Sequence, residues 1–129
     1  MDKYLSKIID KRQLASVMNN TKWRELCSSF EAMGDLSPSV RYKLISENGT
    51  QKFHQVWWHE ILNEASAIEW MDFDPVLRRF QGKLVSEAKT DLKGSILEVF
   101  DRHNIPYSVE GAYLRVWGYI SAENSPKFV

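Results

Sequence analysis

The sequence predicts an α+β fold: a mainly antiparallel sheet of about four strands, with two N-terminal helices and one later helix, in the order α-α-β-β-β-α-β. Three observations predict it. Two N-terminal segments carry apolar residues at helical spacing, alternating segments flank an Asn-Gly turn, and a later helical segment precedes a final alternating strand. Segments between strands are too short for the repeated crossovers of a parallel sheet. The 129 residues are expected to form one domain, 1–129.

The N-terminal region predicts two helices. In the first, Leu5, Ile8 and Ile9 form a short apolar stripe that loses its phase before Asn19, which predicts a bend. Asn19 is a suitable N-cap for the second helix, and Gly34 is a natural stop. Apolar residues at spacings of three and four form the inner stripe of this second helix: Trp23, Leu26, Cys27, Phe30 and Met33. We therefore expect the single cysteine to be buried and inert.

The central region predicts strands. Residues 41–46 alternate, and Glu47-Asn48-Gly49-Thr50 predicts a hairpin turn into a second strand at 51–61. A third strand is expected at 67–73, whereas residues 76–89 are compatible with loop, strand or short helix. A helix is predicted over 90–103, a short strand or turn between Pro106 and Gly111, and a final strand over 112–120.

Composition excludes several classes of protein. Seventeen basic residues balance 17 acidic ones, which disfavours a general nucleic-acid binder. One cysteine permits no disulfide framework and no cluster for structural zinc. The three histidines are not spaced as metal ligands, and the six glycines form neither a P-loop nor a dinucleotide motif, so neither a metal nor a cofactor is expected. The N-terminus lacks the apolar core of a signal peptide, and no stretch reaches the roughly 20 apolar residues of a membrane span. The expectation is a cytoplasmic protein without a membrane partner.

Acidic residues and histidines suggest one alternative function, a small enzyme. Glu69 or Asp72 could act in general acid–base catalysis with His54 or His59. Neighbouring positions on a strand point to opposite faces, however, so Glu69 and Asp72 are not a ready pair. We therefore expect a non-enzymatic protein whose carboxylates form a solvated acidic edge: Glu60, Glu64, Glu69, Asp72 and Asp74.

Basic residues suggest a second alternative, weak nucleic-acid binding through the segment 78–93. Arg78, Arg79 and Lys83 lie there among apolar residues. No glycine pattern for cradling phosphate accompanies them, so this alternative ranks below binding to another protein.

The final strand separates two kinds of side chain. Leu114, Val116 and Ile120 form an aliphatic side, which is expected to pack on the helix at 90–103. Gly118 lies on that side, where a helix could approach the backbone closely. The opposite side is the predicted binding surface, to which neighbouring strands could add aromatic rings: Tyr113, Arg115, Trp117 and Tyr119, with Trp57 and Trp70. The alternative is that the N-terminal helices cover these rings, with Trp23 packed against them.

Three phrases carry a resemblance to a known family. They are Asn19-Asn20-Thr21-Lys22-Trp23-Arg24-Glu25-Leu26, then Ile68-Glu69-Trp70, and Leu114-Arg115-Val116-Trp117-Gly118-Tyr119. The chain resembles an uncharacterised family of small bacterial proteins with no assigned activity. The resemblance implies a free-standing bacterial domain and brings no catalytic residue, cofactor or substrate.

Aromatic content and segregated charge favour a non-enzymatic protein-interaction module that uses an aromatic and acidic sheet surface, which would suit a basic protein partner. An inhibitor- or immunity-like role is one form of it. The expected partner is another protein, a second copy of the chain included, whereas the sequence leaves any small-molecule ligand and the oligomeric state open.

Overall fold

The computed structural model describes residues 2–79 and 88–129, which form an α+β fold around a four-stranded antiparallel sheet, so the predicted fold class is confirmed. The described α-helices are α1 (Lys3–Arg12), α2 (Asn20–Ala32), α3 (Trp58–Glu64) and α4 (Lys93–Arg102). The described strands are β1 (Ala15–Ser16), β2 (Val40–Leu44), β3 (Ile68–Phe73), β4 (Val76–Arg79), β5 (Ala88–Asp91), β6 (Tyr107–Glu110), β7 (Tyr113–Trp117) and β8 (Tyr119–Ile120).

The main sheet has the strand order β2-β3-β7-β6, and each neighbouring pair is antiparallel. Its register places Arg41 opposite Asp72, Asp72 opposite Arg115, and Arg115 opposite Ser108. Partners across a ladder point to the same face, so these four side chains form one row across the sheet. Two small sheets, β1-β8 and β4-β5, flank it.

One face of the main sheet packs against α2, α3 and α4. Phe30 of α2 stands at the centre of this core, with its ring centroid 5.2 Å from that of Trp58 and 5.1 Å from that of Phe73. Leu114 and Val116 lie in the same cluster as Phe100 of α4, so these two residues of the aliphatic side pack as predicted. Ile120 does not, because it lies in β8 and pairs with Ala15 of β1.

Helix α2 follows the local rules of its sequence. The side chain of Asn19 accepts a hydrogen bond from the Lys22 N–H at 2.7 Å, and Gly34 adopts a φ of +57° after the helix ends. Cys27 is buried in the core as predicted, and burial raises the pKa of its thiol to about 12.

The strand predicted at 51–61 is wrong. Its last residues, from Trp58, lie in helix α3, where Trp58 and Ile61 are buried three residues apart. Ala65, four residues after Ile61 in the 3-10 turn that follows α3, is buried as well. The preceding residues touch β2 through one isolated bridge between Val40 and His54. The strand-like alternation of residues in this segment is short. Burial of Trp58 against Phe30 and Phe73 favours a helix over a strand here.

The predicted element order also differs from the observed one. The bend expected before Asn19 contains strand β1, which pairs with β8 and so needs a partner over 100 residues away. Residues 76–79 and 88–91 form an antiparallel pair, and the rest of the unassigned segment, 80–87, lies outside the described residues. Helix α4 begins at Lys93 rather than at 90 because Thr90 and Asp91 pair with β4.

Gly118 interrupts the final strand between β7 and β8. A Cβ atom at this position would lie 2.1 Å from the main-chain oxygen of Ile68. The close approach predicted at Gly118 is therefore made by the β3 backbone and not by a helix. After this break Tyr119 packs with Leu14 and Ile45 in a small separate cluster, against which Leu5, Ile8 and Ile9 of α1 lie.

Candidate functional site

The face of the main sheet opposite the helical core carries charged and aromatic side chains, and we call it the polar sheet face. At its centre Asp72 is fully buried. Its carboxylate accepts hydrogen bonds from Arg41 Nε at 3.0 Å and from Arg115 Nε and Nη2 at 2.6 and 3.0 Å. Charge-assisted bonds of this kind are strong, and they satisfy a carboxylate that would otherwise be costly to bury.

Aromatic rings flank both arginines of this face. The guanidinium carbon of Arg115 lies 3.8 Å from the ring centroid of Trp70 and 5.4 Å from that of Trp117. The guanidinium carbon of Arg41 lies 4.6 Å from the centroid of Phe53 and 5.1 Å from that of Tyr113. Each arginine therefore combines a carboxylate partner with cation–π contacts.

The indole of Trp117 is also engaged within the chain. Its Nε1–H donates to Ser108 Oγ at 2.9 Å, and Ser108 donates in turn to Glu110 Oε2 at 2.8 Å. Trp117 is only 5% exposed, and Trp23 lies in the core cluster with Met71 and Val116 rather than against this ring. The N-terminal helix α2 is thus not what covers Trp117.

The structure brings four of the six predicted binding residues together: Tyr113, Arg115, Trp117 and Trp70 share the polar sheet face. Tyr119 lies elsewhere, because Gly118 interrupts the strand between β7 and β8. The hydroxyl of Tyr119 donates to the Ser66 main-chain oxygen at 2.7 Å. Trp57 lies at the start of α3, outside the main sheet.

The expected solvated acidic edge is wrong for two of its carboxylates, because Glu69 and Asp72 are both buried. Glu69 Oε1 accepts hydrogen bonds from Arg12 Nη1 and Lys43 Nζ, each at 2.7 Å. Burial by itself would raise the pKa of Glu69, but these two cationic donors outweigh it and lower the pKa. Arg12 and Lys43 come from distant parts of the chain, so alternation within one strand could not reveal these pairs.

The residues of the enzyme alternative are not brought together in the described part of the chain. Glu69 and Asp72 bind arginine and lysine, while His54 Nδ1 lies 2.9 Å from the main-chain oxygen of Lys52. No group of three or more potential metal ligands occurs among the described residues. Of the basic segment, Arg78 pairs with Asp74 at 2.9 Å, and Lys83 lies outside the described residues.

A serine, a histidine and a glutamate lie in a chain of contacts between α2 and the end of α4. Ser29 Oγ is 3.2 Å from His103 Nε2, and His103 Nδ1 is 3.1 Å from Glu25 Oε2. These distances resemble those of a hydrolytic triad. The hydroxyl of Ser29, however, donates to the main-chain oxygen of Glu25, so its hydrogen is not directed to the imidazole. These contacts link α2 to the residue that follows α4. Because Ser29 and His103 are far apart in the sequence, sequence analysis does not reveal them.

Trp57 lies beside a groove formed by strand β2, helix α3 and the residues that precede α3. Trp57 is 71% exposed, and the groove has a volume of about 410 Å³. We call this region the Trp57 groove; its lining includes Tyr42, His54, Gln55, Trp57, Glu60 and Glu64.

Helix α3 positions the acidic wall of the Trp57 groove. Glu60 and Glu64 are four residues apart on α3 and so lie on the same side of the helix, and Trp57, the N-cap residue before it, lines the same groove. The hydroxyl of Tyr42 donates to Glu64 Oε2 at 2.9 Å. Burial and this contact raise the pKa of Tyr42 to about 12. The sequence interpretation named Trp57 for the binding surface and placed Glu60 and Glu64 on an acidic edge. Because it assigned residues 51–61 to a strand, it did not join the three residues in one site.

Comparisons with known proteins add a family and no activity. Within the described residues, no helix combines the length and apolar character that a membrane crossing needs. Neither a curated protein nor a solved structure matches the chain. A family model matches residues 5–123, and the chain therefore belongs to DUF6678, a family of unknown function.

Proposed function

We propose that this protein is a non-enzymatic protein-interaction module whose partner docks at the Trp57 groove. The observation that carries the proposal is the exposure of Trp57, which is 71%, beside a groove of about 410 Å³. This volume falls within the range of about 300–1,000 Å³ that is typical of ligand-binding clefts in proteins. An inhibitor- or immunity-like role is one form that such a module would take.

Trp57 differs from the other tryptophans of the chain. Trp23, Trp58 and Trp117 are 3%, 4% and 5% exposed, and Trp70 is half-buried beneath Arg115. Tryptophan is highly buried on average, so a ring left in water is an unusual feature. Burying it in a complex would remove roughly 150–250 Å² of surface from water, and tryptophan is enriched among residues that dominate binding energy.

The helix that displays Trp57 is firmly anchored. The next residue, Trp58, is buried, and its Nε1–H donates to Ser37 Oγ at 2.7 Å. Ile61 is buried one turn later. Trp57 is the N-cap residue that directly precedes α3, so its backbone is held by an anchored helix although its ring is exposed. A residue fixed to a rigid element loses less backbone entropy on binding.

The polar sheet face is a weaker choice of binding surface. Its arginines already contact Asp72 and four aromatic rings, and Trp117 already has a hydrogen-bond partner. A partner docking there would compete with these contacts, whereas one docking at Trp57 would add contacts.

Selection from a random peptide display library tests the proposal. The immobilised protein is expected to enrich peptides whose binding is lost in Trp57→Ala. Tyr4→Ala is the matched control, because Tyr4 is an exposed aromatic residue, 61% accessible, at the start of α1. Both variants should keep the melting temperature of the parent. Failure to enrich any peptide, or equal binding by Trp57→Ala and the parent, would overturn the proposal.

A further inference from the structure

We infer that the Trp57 groove receives an arginine side chain of the partner protein. The inference rests on the proposed function and adds the chemistry of recognition to it. The ligand is a guanidinium group presented by a peptide segment, stacked on the Trp57 ring and paired with the carboxylates of Glu60 and Glu64.

The charge of the groove supports a cationic ligand. Glu60 and Glu64 line it, and within the described part of the chain its lining contains no lysine or arginine. Glu60 is exposed, and the described ion pairs do not include it. A positive side chain would therefore meet two carboxylates without displacing a cation that belongs to the protein.

The chain itself shows how an arginine is held in such a setting. Arg115 lies 3.8 Å from the Trp70 centroid while it donates to Asp72. Arg41 lies 4.6 Å from the Phe53 centroid while it donates to the same carboxylate. Both arginines thus combine an aromatic ring with a carboxylate. The Trp57 groove contains the same two components, and in the described residues no cation–π contact to Trp57 is made.

Arginine fits this arrangement better than lysine does. A planar guanidinium stacks on an indole and still directs its N–H groups sideways to carboxylates, whereas an ammonium is a strongly hydrated point charge. Glu64 Oε2 already accepts a hydrogen bond from the Tyr42 hydroxyl. The Oε1 atom of Glu64 and both carboxylate oxygens of Glu60 are therefore the acceptors for the N–H groups of a guanidinium.

Peptide pools separate this inference from the proposed function. Four pools have randomised flanks around a central arginine, lysine, citrulline or norleucine, and each is passed over the immobilised protein. Citrulline keeps the planar shape of arginine and lacks its charge. We expect retention of the arginine pool to exceed that of the citrulline pool about ten-fold, with the lysine pool between them, and to fall at high salt.

Variants then assign the effect to the groove. Trp57→Ala and Glu60→Gln should each bring retention of the arginine pool close to that of the citrulline pool. The matched controls are Tyr4→Ala and Glu31→Gln, an exposed glutamate of α2 outside the groove, and both should bind as the parent does.

Two results would overturn the inference. If the arginine and citrulline pools are retained equally but both are lost in Trp57→Ala, arginine recognition is wrong and the proposed binding site stands. If retention of every pool is the same in Trp57→Ala as in the parent, the inference and the proposed function both fail.

Discussion

Replacing Trp117 by alanine distinguishes a packing role for this residue from a binding role. Trp117 is 5% exposed, and its Nε1–H donates to Ser108 Oγ at 2.9 Å. Burial of an indole removes about 150–250 Å² from water, and at about 25 cal/mol/Å² this is worth roughly 4–6 kcal/mol as an upper estimate. We expect Trp117→Ala to lower the free energy of unfolding by about 3–5 kcal/mol, the usual cost of truncating a buried tryptophan.

Urea denaturation followed by far-UV circular dichroism measures this loss. Trp117→Phe fills most of the volume but lacks the N–H, so it should cost less and should keep the fold measurable if the alanine variant unfolds. Trp57→Ala is the internal comparison, because an exposed ring should change stability by no more than about 0.5 kcal/mol. A loss below about 1 kcal/mol for Trp117→Ala would refute the packing role, since a buried indole cannot be removed so cheaply.

Three further predictions concern buried groups elsewhere. Cys27 should not react with a thiol reagent at neutral pH until the protein is denatured, and Cys27→Ser should cost about 1–3 kcal/mol; rapid labelling of the native protein would contradict the assigned burial. The lowered pKa of Glu69 means that its stabilising contribution is fully present above the ordinary glutamate pKa and is lost as the pH falls through the lowered value. Stability measured between about pH 6 and pH 3 should therefore fall less steeply in Glu69→Gln, and an unchanged slope would argue against the pairing with Arg12 and Lys43. Gly118→Ala should cost at least about 1–3 kcal/mol, because the added Cβ would meet the Ile68 carbonyl at 2.1 Å and a backbone atom cannot rotate away; a melting temperature equal to that of the parent would exclude this close approach.

The error at residues 51–61 shows the limit of periodicity in short segments. Alternation over a few residues and the Asn-Gly turn both favour a hairpin, but Trp58 and Ile61 also fit a helical spacing. The choice between a strand and a helix depends on which side chains each periodicity would bury in the core. Here the aromatic cluster around Phe30 accepts Trp58 from a helix, and this contact lies between residues far apart in sequence. Missing this helix also hid that Glu60 and Glu64 lie on the same side of α3, close after its N-cap residue Trp57.

Local rules were sufficient where neighbours along the chain decide the conformation. The cap at Asn19, the stripe that buries Cys27, the alternation of β7 and the α+β class all follow from propensity and period. The tertiary structure decided the rest, because charge partners and solvent access depend on residues that only folding brings together. Asp72 and Glu69 become buried ion pairs through Arg115 and Arg12, which lie 43 and 57 residues away, and Trp57 remains exposed because α3 turns Trp58 inward.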